Sequence, residues 1–583
     1  MRKKFLIFIF ALSFIIRFWE LGKNPPSLNW DEIAFGYNAY SLLQTGKDEY
    51  GKPYPVFFNS FNDSKHPVYV YATYLSIMFF GKNEFAIRYP SALFGSLTVI
   101  SVYFLTKQLL VVSKKNQAET QSEKWPYRAG NIAALSTLLF AISPWHVHFS
   151  RVAFEANIGL FFFVSGTYLF LIYCQAKQKL IILLGSALLM ALAIYSYTSY
   201  RLLVPMLLIG YIIPYFNIFK KNWKHFVVCT IFALISSSAI LLQMYSGSGL
   251  DRFIGTSIFH KMEYTQRNKL YAKEDFDAGL GRFSSLVHNF RTPIIQRSID
   301  NYLSHYNFSF LFTFGDLPRH QVPGFGLLYI WQFPLIIIGL IFLIKNRAHL
   351  NIYLPLWCLF IALVPVSLTW PVPHSIRSLL MLPILSLLSG AGLWASLKWI
   401  QVQDLKLYSL PNTTNIYQEF LHKLRWIFPK TLLLTIFSII SLSFISLLIS
   451  YNVHLKKEYS QYWLYGRKEM VEYVEASKGK YDNITVSLSL DWAYLWFLWY
   501  GNYSPQSYID KGGTVSGGFA ETQNTVGKIK FKPFEFAPTE FGNIKLPENS
   551  LYIGTPKDFP TTIVPEKTIY DLRGKPTILI IKT

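Results

Sequence analysis

Long apolar runs separated by short polar ones fill the first three quarters of the chain. A helix needs about twenty mostly apolar residues to cross a bilayer. Runs of that kind lie at 4–20, 88–112, 129–144, 155–174, 179–197, 201–217, 223–243, 326–344, 350–369, 378–398 and 431–451. They predict eleven membrane spans, so the two chain ends lie on opposite sides. Two of the regions between spans are long, 21–87 and 244–325. The first holds two amphipathic or apolar stretches too short to span, Ile33 to Leu43 and Val68 to Phe80, which predict interfacial helices; Gly81-Lys82-Asn83-Glu84 ends the second. In the other long region Gly247, Gly249, Gly279 and Gly281 mark turns.

Beyond residue 452 the pattern shortens. Arg467 to Ser477 has helical spacing, with Met470, Val471 and Val474 on one face. Ile484 to Leu488, Leu551 to Ile553 and Thr577 to Ile581 predict strands. Helix alternating with strand predicts a small α/β domain. The chain therefore divides into a helical polytopic membrane module, 1–451, and a soluble tail, 452–583. The tail carries no phosphate-binding glycine fingerprint and no metal-ligand cluster, and its simplest role is a structural cap over a membrane site. No internal repeat of fixed period is present.

Charge fixes the orientation. With the N-terminus inside, the inner segments carry Arg2-Lys3-Lys4, Lys114-Lys115 with Lys124 and Arg128, Lys177 and Lys179, Lys220-Lys221 with Lys224, Lys345 and Arg347, and the basic stretch Lys398 to Lys430. Every one is basic, as cytoplasmic loops are. The polar stretch 399–430, with Pro411-Asn412-Thr413-Thr414, reads as one such loop. The expected location is the cell membrane, multi-pass, with a cytoplasmic N-terminus and an extracytoplasmic tail. Composition agrees: 52% of residues are hydrophobic, 17% aromatic and only 15% charged, whereas soluble domains run near a quarter charged. The net charge of +22 is the positive-inside excess, not a nucleic-acid surface. Cys174, Cys229 and Cys358 lie in or beside apolar runs and offer neither a disulfide framework nor metal spacing. The N-terminal run lacks a small-residue cleavage site after it and reads as a retained span. Arg17 at its far end either snorkels to the interface or helps hold an anion.

Chemistry gathers on the outer side. Asp31-Glu32 opens the first long loop, and Lys65-His66-Pro67 precedes its second short helix. Two readings of Asp31 stand: it caps the helix that follows, or it is a functional carboxylate at the membrane boundary. Adjacent helical residues do not share a face, so Glu32 takes a supporting role, orienting the loop or a bound ligand. Arg151, Arg201, Arg319 and Arg377 also fall outside, each either an interfacial anchor or a contact for an anionic group. Asp316, in Phe314-Gly315-Asp316-Leu317-Pro318-Arg319-His320, reads as a turn former or a substrate contact. Tyr37, Tyr69 and Tyr71 either stack on a bound ligand or sit in the interfacial belt. His66, His146, His148, His320 and His374 are outward as well, but His146-x-His148 does not share a helical face. No metal centre is expected from this spacing.

Residues 17–112 resemble the membrane-embedded GT-C glycosyltransferases, most nearly the protein O-mannosyltransferases and the bacterial aminoarabinose transferases of lipid A. The resemblance rests on the Asp31-Glu32 pair after the first span, on Lys65-His66-Pro67 as a Lys-x-Pro motif, and on Arg88-Tyr89-Pro90-Ser91-Ala92-Leu93-Phe94-Gly95, where Tyr89 replaces the leucine of an Arg-Leu-Pro-Ser-like signature. Ser143-Pro144-Trp145-His146 with Ser150-Arg151, and Trp463 to Glu469 in the tail, match as well. It implies a GT-C fold and a sugar donor on a polyprenyl (or dolichyl) phosphate. It also implies a lipid, glycan or protein acceptor in an outer cavity, and inverting transfer with Asp31 as general base. Lys65, His66, Tyr69, Arg151, Arg201, Asp316, Arg319, His374 and Arg377 become the candidate substrate contacts, with Asp31 and Glu32 the candidate catalytic pair. No cofactor is implied, although some GT-C enzymes use a divalent cation. Partners are the lipid-linked donor, the acceptor and the bilayer, with no nucleic acid.

Three other readings compete, one of them a binding or assembly protein that works through its tail. A transporter or flippase needs a charged path near the bilayer midplane, whereas the ionisable residues here crowd one face. A glycan ligase of the same fold would transfer whole glycans rather than single sugars.

Overall fold

The computed structural model describes residues 2–60, 63–110, 125–245, 255–260, 262–289, 291–347, 352–408, 416–514, 530–531, 534–537 and 548–583. Five described helices are long and apolar enough to cross a membrane: Glu84–Leu109, Glu155–Gln175, Tyr200–Lys221, Met381–Val402 and Ile427–Glu458. Shorter apolar helices stand beside them, among them Pro67–Phe80, Leu180–Ser196, Gln332–Lys345 and Tyr353–Ser367. The first helix, Arg2–Phe18, and Trp125–Ala141 pack against Glu84–Leu109. The Lys114-Lys115 and Pro411–Thr414 segments and Gly247 and Gly249 lie outside the described residues.

Three differences from the sequence pattern have physical causes. The run 223–243 breaks at Ser237 into Trp223–Ser236 and Ser238–Tyr245. Much of the stretch read as a loop between 399 and 430 is helical, because Met381–Tyr408 and Ile416–Ile449 extend into it. Lys, Gln, Glu and Leu, which fill it, are good helix formers whatever their polarity. The second long loop is also largely helical, with Met262–Asp277, Gly281–Val287 and Thr292–Ser304. Gly279 and Gly281, both at positive φ, make the turn between the first two.

Helix Gln332–Lys345 packs tightly against Met381–Tyr408. A Cβ on Gly339 would fall 1.9 Å from the Leu388 carbonyl oxygen, and one on Gly392 would fall 1.9 Å from that of Leu335. Small residues let two backbones approach this closely.

The tail folds as expected in kind. Helix Arg467–Ser477 buries Met470, Val471 and Val474. The sheet comprises β3 (Asn483–Ser487), β4 (Lys530–Phe531), β5 (Phe534–Ala537), β6 (Ser550–Gly554), β7 (Lys567–Tyr570) and β8 (Pro576–Lys582), in the order β4-β5-β3-β6-β8-β7. The β3 strand runs parallel to β5 and β6, while β8 is antiparallel to β6 and β7. A small antiparallel hairpin, β1 (Phe58–Ser60) with β2 (Asp63–Lys65), lies in the first long loop and delivers Lys65. The last long helix runs on past the expected boundary at 451, to Glu458.

The tail rests on the first loop. Its aromatic helix Tyr494–Tyr500 packs against Trp30–Thr45, with Trp499 edge-on to Tyr40 at 6.4 Å between centroids. A Cβ on Gly36 would meet the Trp499 ring at 3.2 Å and Ile87 closer still. Lys82 sits over the rings of Tyr40 and Trp499, at 4.6 and 5.3 Å.

Candidate functional site

Helix Trp30–Thr45 is started by Asn29, not by Asp31. The Asn29 side chain accepts from the Glu32 amide at 3.0 Å, and Glu32 Oε2 accepts from the Asn29 amide at 3.1 Å. This reciprocal capping box satisfies the helix end and leaves the Asp31 carboxylate outside the cap. Asp31 instead meets Lys65, Nζ to Oδ1 at 2.5 Å. Lys65 is 1% exposed and Asp31 26% exposed. The ion pair therefore has one buried end and one end open to a cavity.

That cavity, of about 320 Å³, is lined by Asp31, Glu155, Arg319, His320, His374 and Arg377, together with Phe35, Phe154, Tyr197, Thr198 and Thr369 among others. Six places remote in sequence line it: the start of helix Trp30–Thr45, the turn before Glu155–Gln175, the turn 197–199, Thr256, and the two loop pieces 317–320 and 369–377. The guanidinium of Arg319 lies 4.2 Å over the Trp30 ring, and its Nη1 is buried without a hydrogen-bond partner among the described residues. Burial lowers the Arg319 pKa, opposed first by the charge of Asp31. The residue is a cation held beside a carboxylate in a water-poor pocket, where an unpaired charge is costly.

Asp316 closes one wall. Its Oδ2 accepts from the Ser375 amide at 2.8 Å, from Ser375 Oγ at 2.6 Å and from His320 Nδ1 at 3.1 Å. Burial pushes its pKa up, but His320 and then His374 outweigh it and hold Asp316 below the usual carboxylate range. Arg377 donates to Thr369 Oγ1 at 2.9 Å and to the Trp370 carbonyl at 3.1 Å. The ligand-type atoms of Asp316, His320 and His374 all lie within 4.8 Å of one another.

His66 stands behind the cavity wall. Its Nδ1 is 3.1 Å from Glu155 Oε1, and its Nε2 is 3.1 Å from Thr198 Oγ1 and 3.4 Å from Arg201 Nη2. A neutral ring that donates to Glu155 and accepts from Thr198 or Arg201 satisfies every contact. His66 and Arg201 thus orient Glu155 and the 197–199 turn rather than line the cavity.

Three expected site residues lie elsewhere. Glu32 is wholly buried against Arg88, whose Nε and Nη2 reach its two oxygens at 2.8 and 3.0 Å, and it also accepts from the Ala153 amide at 3.1 Å. Arg88 in turn donates to the carbonyls of Leu21, Pro25 and Ser27. The pair fixes the loop between the first two helices, and Glu32 does not face the cavity. Tyr69 is fully buried, donates to the Ile87 carbonyl at 2.9 Å and packs on Phe35 at 4.7 Å, so no sugar can stack on it. Arg151 donates to the carbonyls of Ile16 and Asn24 and sits 4.8 Å over the Tyr451 ring. Its long stem reaches inward because orphan carbonyls there need donors. His146 is likewise internal, with Nδ1 2.6 Å from Arg17 Nη2.

Glu155 was missed by the sequence reading. It is 6% exposed and lines the cavity. An ionisable residue at the mouth of a span is the signal that marks it.

Comparison with known proteins follows from this geometry. A family described as dolichyl-phosphate-mannose-protein mannosyltransferase matches residues 7–115. No curated protein matches the chain. The crystal structure of ArnT from Cupriavidus metallidurans bound to undecaprenyl phosphate is similar over 99% of this chain and 97% of its own, with TM-score 0.55 and 12% identity. The apo form of the same protein gives TM-score 0.53 and 11% identity, over 99% of this chain and 98% of its own. The archaeal oligosaccharyltransferase AglB from Archaeoglobus fulgidus, in complex with an inhibitory peptide and a dolichol-phosphate, aligns over 86% of this chain and 63% of its own, with TM-score 0.46 and 12% identity. The chain has the GT-C glycosyltransferase fold of ArnT, a multi-pass helical membrane architecture with a small C-terminal sheet domain.

Proposed function

We propose that the chain transfers a sugar from a polyprenyl-phosphate carrier to an acceptor, with inversion, in the cavity between Asp31 and Arg319. The observation that carries this reading is the pairing of Asp31 with buried Lys65 on the wall of a cavity that also holds Arg319 without a hydrogen-bond partner on Nη1 among the described residues. The ArnT structure, which holds undecaprenyl phosphate, and the mannosyltransferase match over 7–115 support the donor class.

The reaction is a single displacement. Asp31 takes the proton of the acceptor hydroxyl or amine, which attacks the anomeric carbon. The bond from that carbon to the phosphate oxygen breaks, and the lipid phosphate leaves with the electron pair. Fixed cations in a water-poor site stabilise that growing charge. Arg319 is the first candidate, because it lines the cavity and has donor capacity left. Lys65, buried behind the wall, holds the Asp31 carboxylate in place by the ion pair. Arg377 is a second cation on the same wall.

The test uses the full chain purified into lipid nanodiscs with a panel of polyprenyl-phosphate hexoses and pentoses and envelope lipid, glycan and peptide acceptors. Wild-type protein consumes a donor and forms a glycosidic bond of inverted configuration. Asp31→Asn elutes and melts as wild type but loses at least about a hundredfold in rate, the usual worth of a positioned base. Full activity in Asp31→Asn removes the residue from this role.

A further inference from the structure

We propose that a cleft between the first helix, Arg2–Phe18, and the last long helix, Ile427–Glu458, binds one anionic phospholipid, with its phosphate on Arg151 and an acyl chain along the cleft. The cleft, of about 230 Å³, shares no lining residue with the reaction cavity. Leu12, Ile15 and Trp19 line it from the first helix and its end, and Leu447, Leu448 and Tyr451 from the last. Ile15 and Trp19 are largely exposed, so the cleft opens on the surface that a spanning helix turns to lipid. Arg151 is its one charged lining residue among those described.

That charge has no counter-charge. Arg151 is buried, and its Nη1 and Nη2 donate to the carbonyls of Ile16 and Asn24, which fixes the guanidinium over the Tyr451 ring. Its Nε is buried without a hydrogen-bond partner among the described residues. The bond to Ile16 sets it beside Arg17, wholly buried too, which bonds only the uncharged oxygens of Ser13 and Ala141 and the His146 ring. Neither arginine has an ion-pair partner among the described residues, because Glu20 is taken by Lys456 and Glu32 by Arg88. Buried cations left unpaired are costly. A phosphate oxygen that accepts from Arg151 Nε forms a charge-assisted bond and offsets both charges.

The walls select the source of the phosphate. A soluble anion would meet apolar side chains, whereas a lipid brings its chain with its head group, and basic pockets between spanning helices hold such head groups. A sugar carrier lodged here would not present its sugar to Asp31, which lines the other cavity. A phospholipid of net negative charge meets both requirements, and its binding does not depend on the proposed transferase activity.

The experiment reads lipid, not turnover. Full-length protein, delipidated in detergent, is titrated with phosphatidylglycerol and followed by native mass spectrometry. Wild type binds one molecule tightly and prefers it at least about tenfold to phosphatidylcholine, whose choline cancels the charge. Arg151→Gln loses that preference, about tenfold being the least that one hydrogen bond to a charged group is worth. Leu448→Trp, which fills the cleft and leaves the arginine's carbonyl bonds in place, loses it too, while Arg319→Gln in the reaction cavity binds as wild type. Phosphatidylglycerol with a diazirine in its acyl chain labels wild type in parallel, which needs no variant to fold, and its adducts fall within 12–19 and 444–452. Equal binding of phosphatidylcholine, unchanged preference in Arg151→Gln, adducts confined to other segments, or displacement by undecaprenyl phosphate or inorganic phosphate overturns the site.

Discussion

Replacing Arg88 by Met removes one side chain that five contacts depend on. Arg88 is wholly buried; it binds both oxygens of Glu32 at 2.8 and 3.0 Å and three backbone carbonyls, those of Leu21, Pro25 and Ser27, at 3.3, 2.8 and 2.6 Å. Methionine fills much of the volume, so the change is mainly electrostatic. Leaving Glu32 as an uncompensated buried charge costs about 3–5 kcal/mol. Each carbonyl left without a donor adds about 1–3 kcal/mol, although losses within one network do not sum. A floor of about 3 kcal/mol is therefore expected. The Arg88→Met/Glu32→Gln double variant recovers part of that, because the uncompensated charge goes. The recovery is partial because the Asn29 and Ala153 amides donate to different Glu32 oxygens, and glutamine keeps an acceptor for only one of them. Arg88→Lys falls between, since an ammonium cannot reproduce the planar fork. The assay is the apparent melting temperature of nanodisc-embedded protein by tryptophan fluorescence, with transfer rate measured alongside. Asp31 is bonded in sequence to Glu32, so the rate falls with the melting temperature in Arg88→Met. A variant that melts within a degree of wild type and works at its rate would refute the claim that this clamp holds Asp31 in place.

Other outcomes follow from single contacts. Arg319→Gln, which removes the cation with a free donor over Trp30, lowers kcat/KM for the lipid-linked donor by about ten- to a thousandfold while leaving acceptor binding alone, as steady-state kinetics with each substrate varied would show. Gly339→Val drives a side chain into the Leu388 carbonyl and costs at least about 1–3 kcal/mol by overpacking, read as a lower melting temperature. Burial pushes the Glu49 carboxyl from 4.5 up to about 8. A raised folded value means that its contribution is complete below the unfolded pKa and fades as pH rises from about 4.5 to 8, at up to about 1.4 kcal/mol per unit. Wild-type melting temperature should therefore drop across that window, and Glu49→Gln should flatten the drop; an equal slope in both proteins discards the assignment.

Much of the fold is legible in the chain because its signals are local. The apolar runs mark the helices, and the alternation around Ile484, Leu551 and Thr577 marks three tail strands correctly. β7 escapes notice because its Lys567-Thr-Ile-Tyr570 is too short and polar to stand out. Asp31 and Lys65 are marked by motif, and Arg319, His374 and Arg377, named from their outer-side position alone, line the same cavity; which side chains meet is not written in the chain. The choice between Asn29 and Asp31 as cap was open to a closer reading, since Asn29-x-x-Glu32 has capping-box spacing whereas Asp31 has no such partner. Glu32 with Arg88, or Asp316 with His374, cannot be seen in advance, because 56 and 58 residues separate the partners and only the packed bundle closes those distances. Arginines at boundaries mislead for the same reason. Arg151 and Arg319 look alike in sequence, yet one turns to the carbonyls of Ile16 and Asn24 while the other lines the reaction cavity.

The contact of Trp499 with Gly36, and of Lys82 with Tyr40 and Trp499, has a consequence for dissection of the molecule. A cut at residue 452 would not free two independent pieces. It would strip an aromatic cover from the same helix whose first turn carries Asp31, and leave the severed fragment with indole rings facing water. Chimeras that exchange this region between proteins must therefore carry the receiving surface with it, and any force that lifts the cover is felt along the helix that bears Asp31.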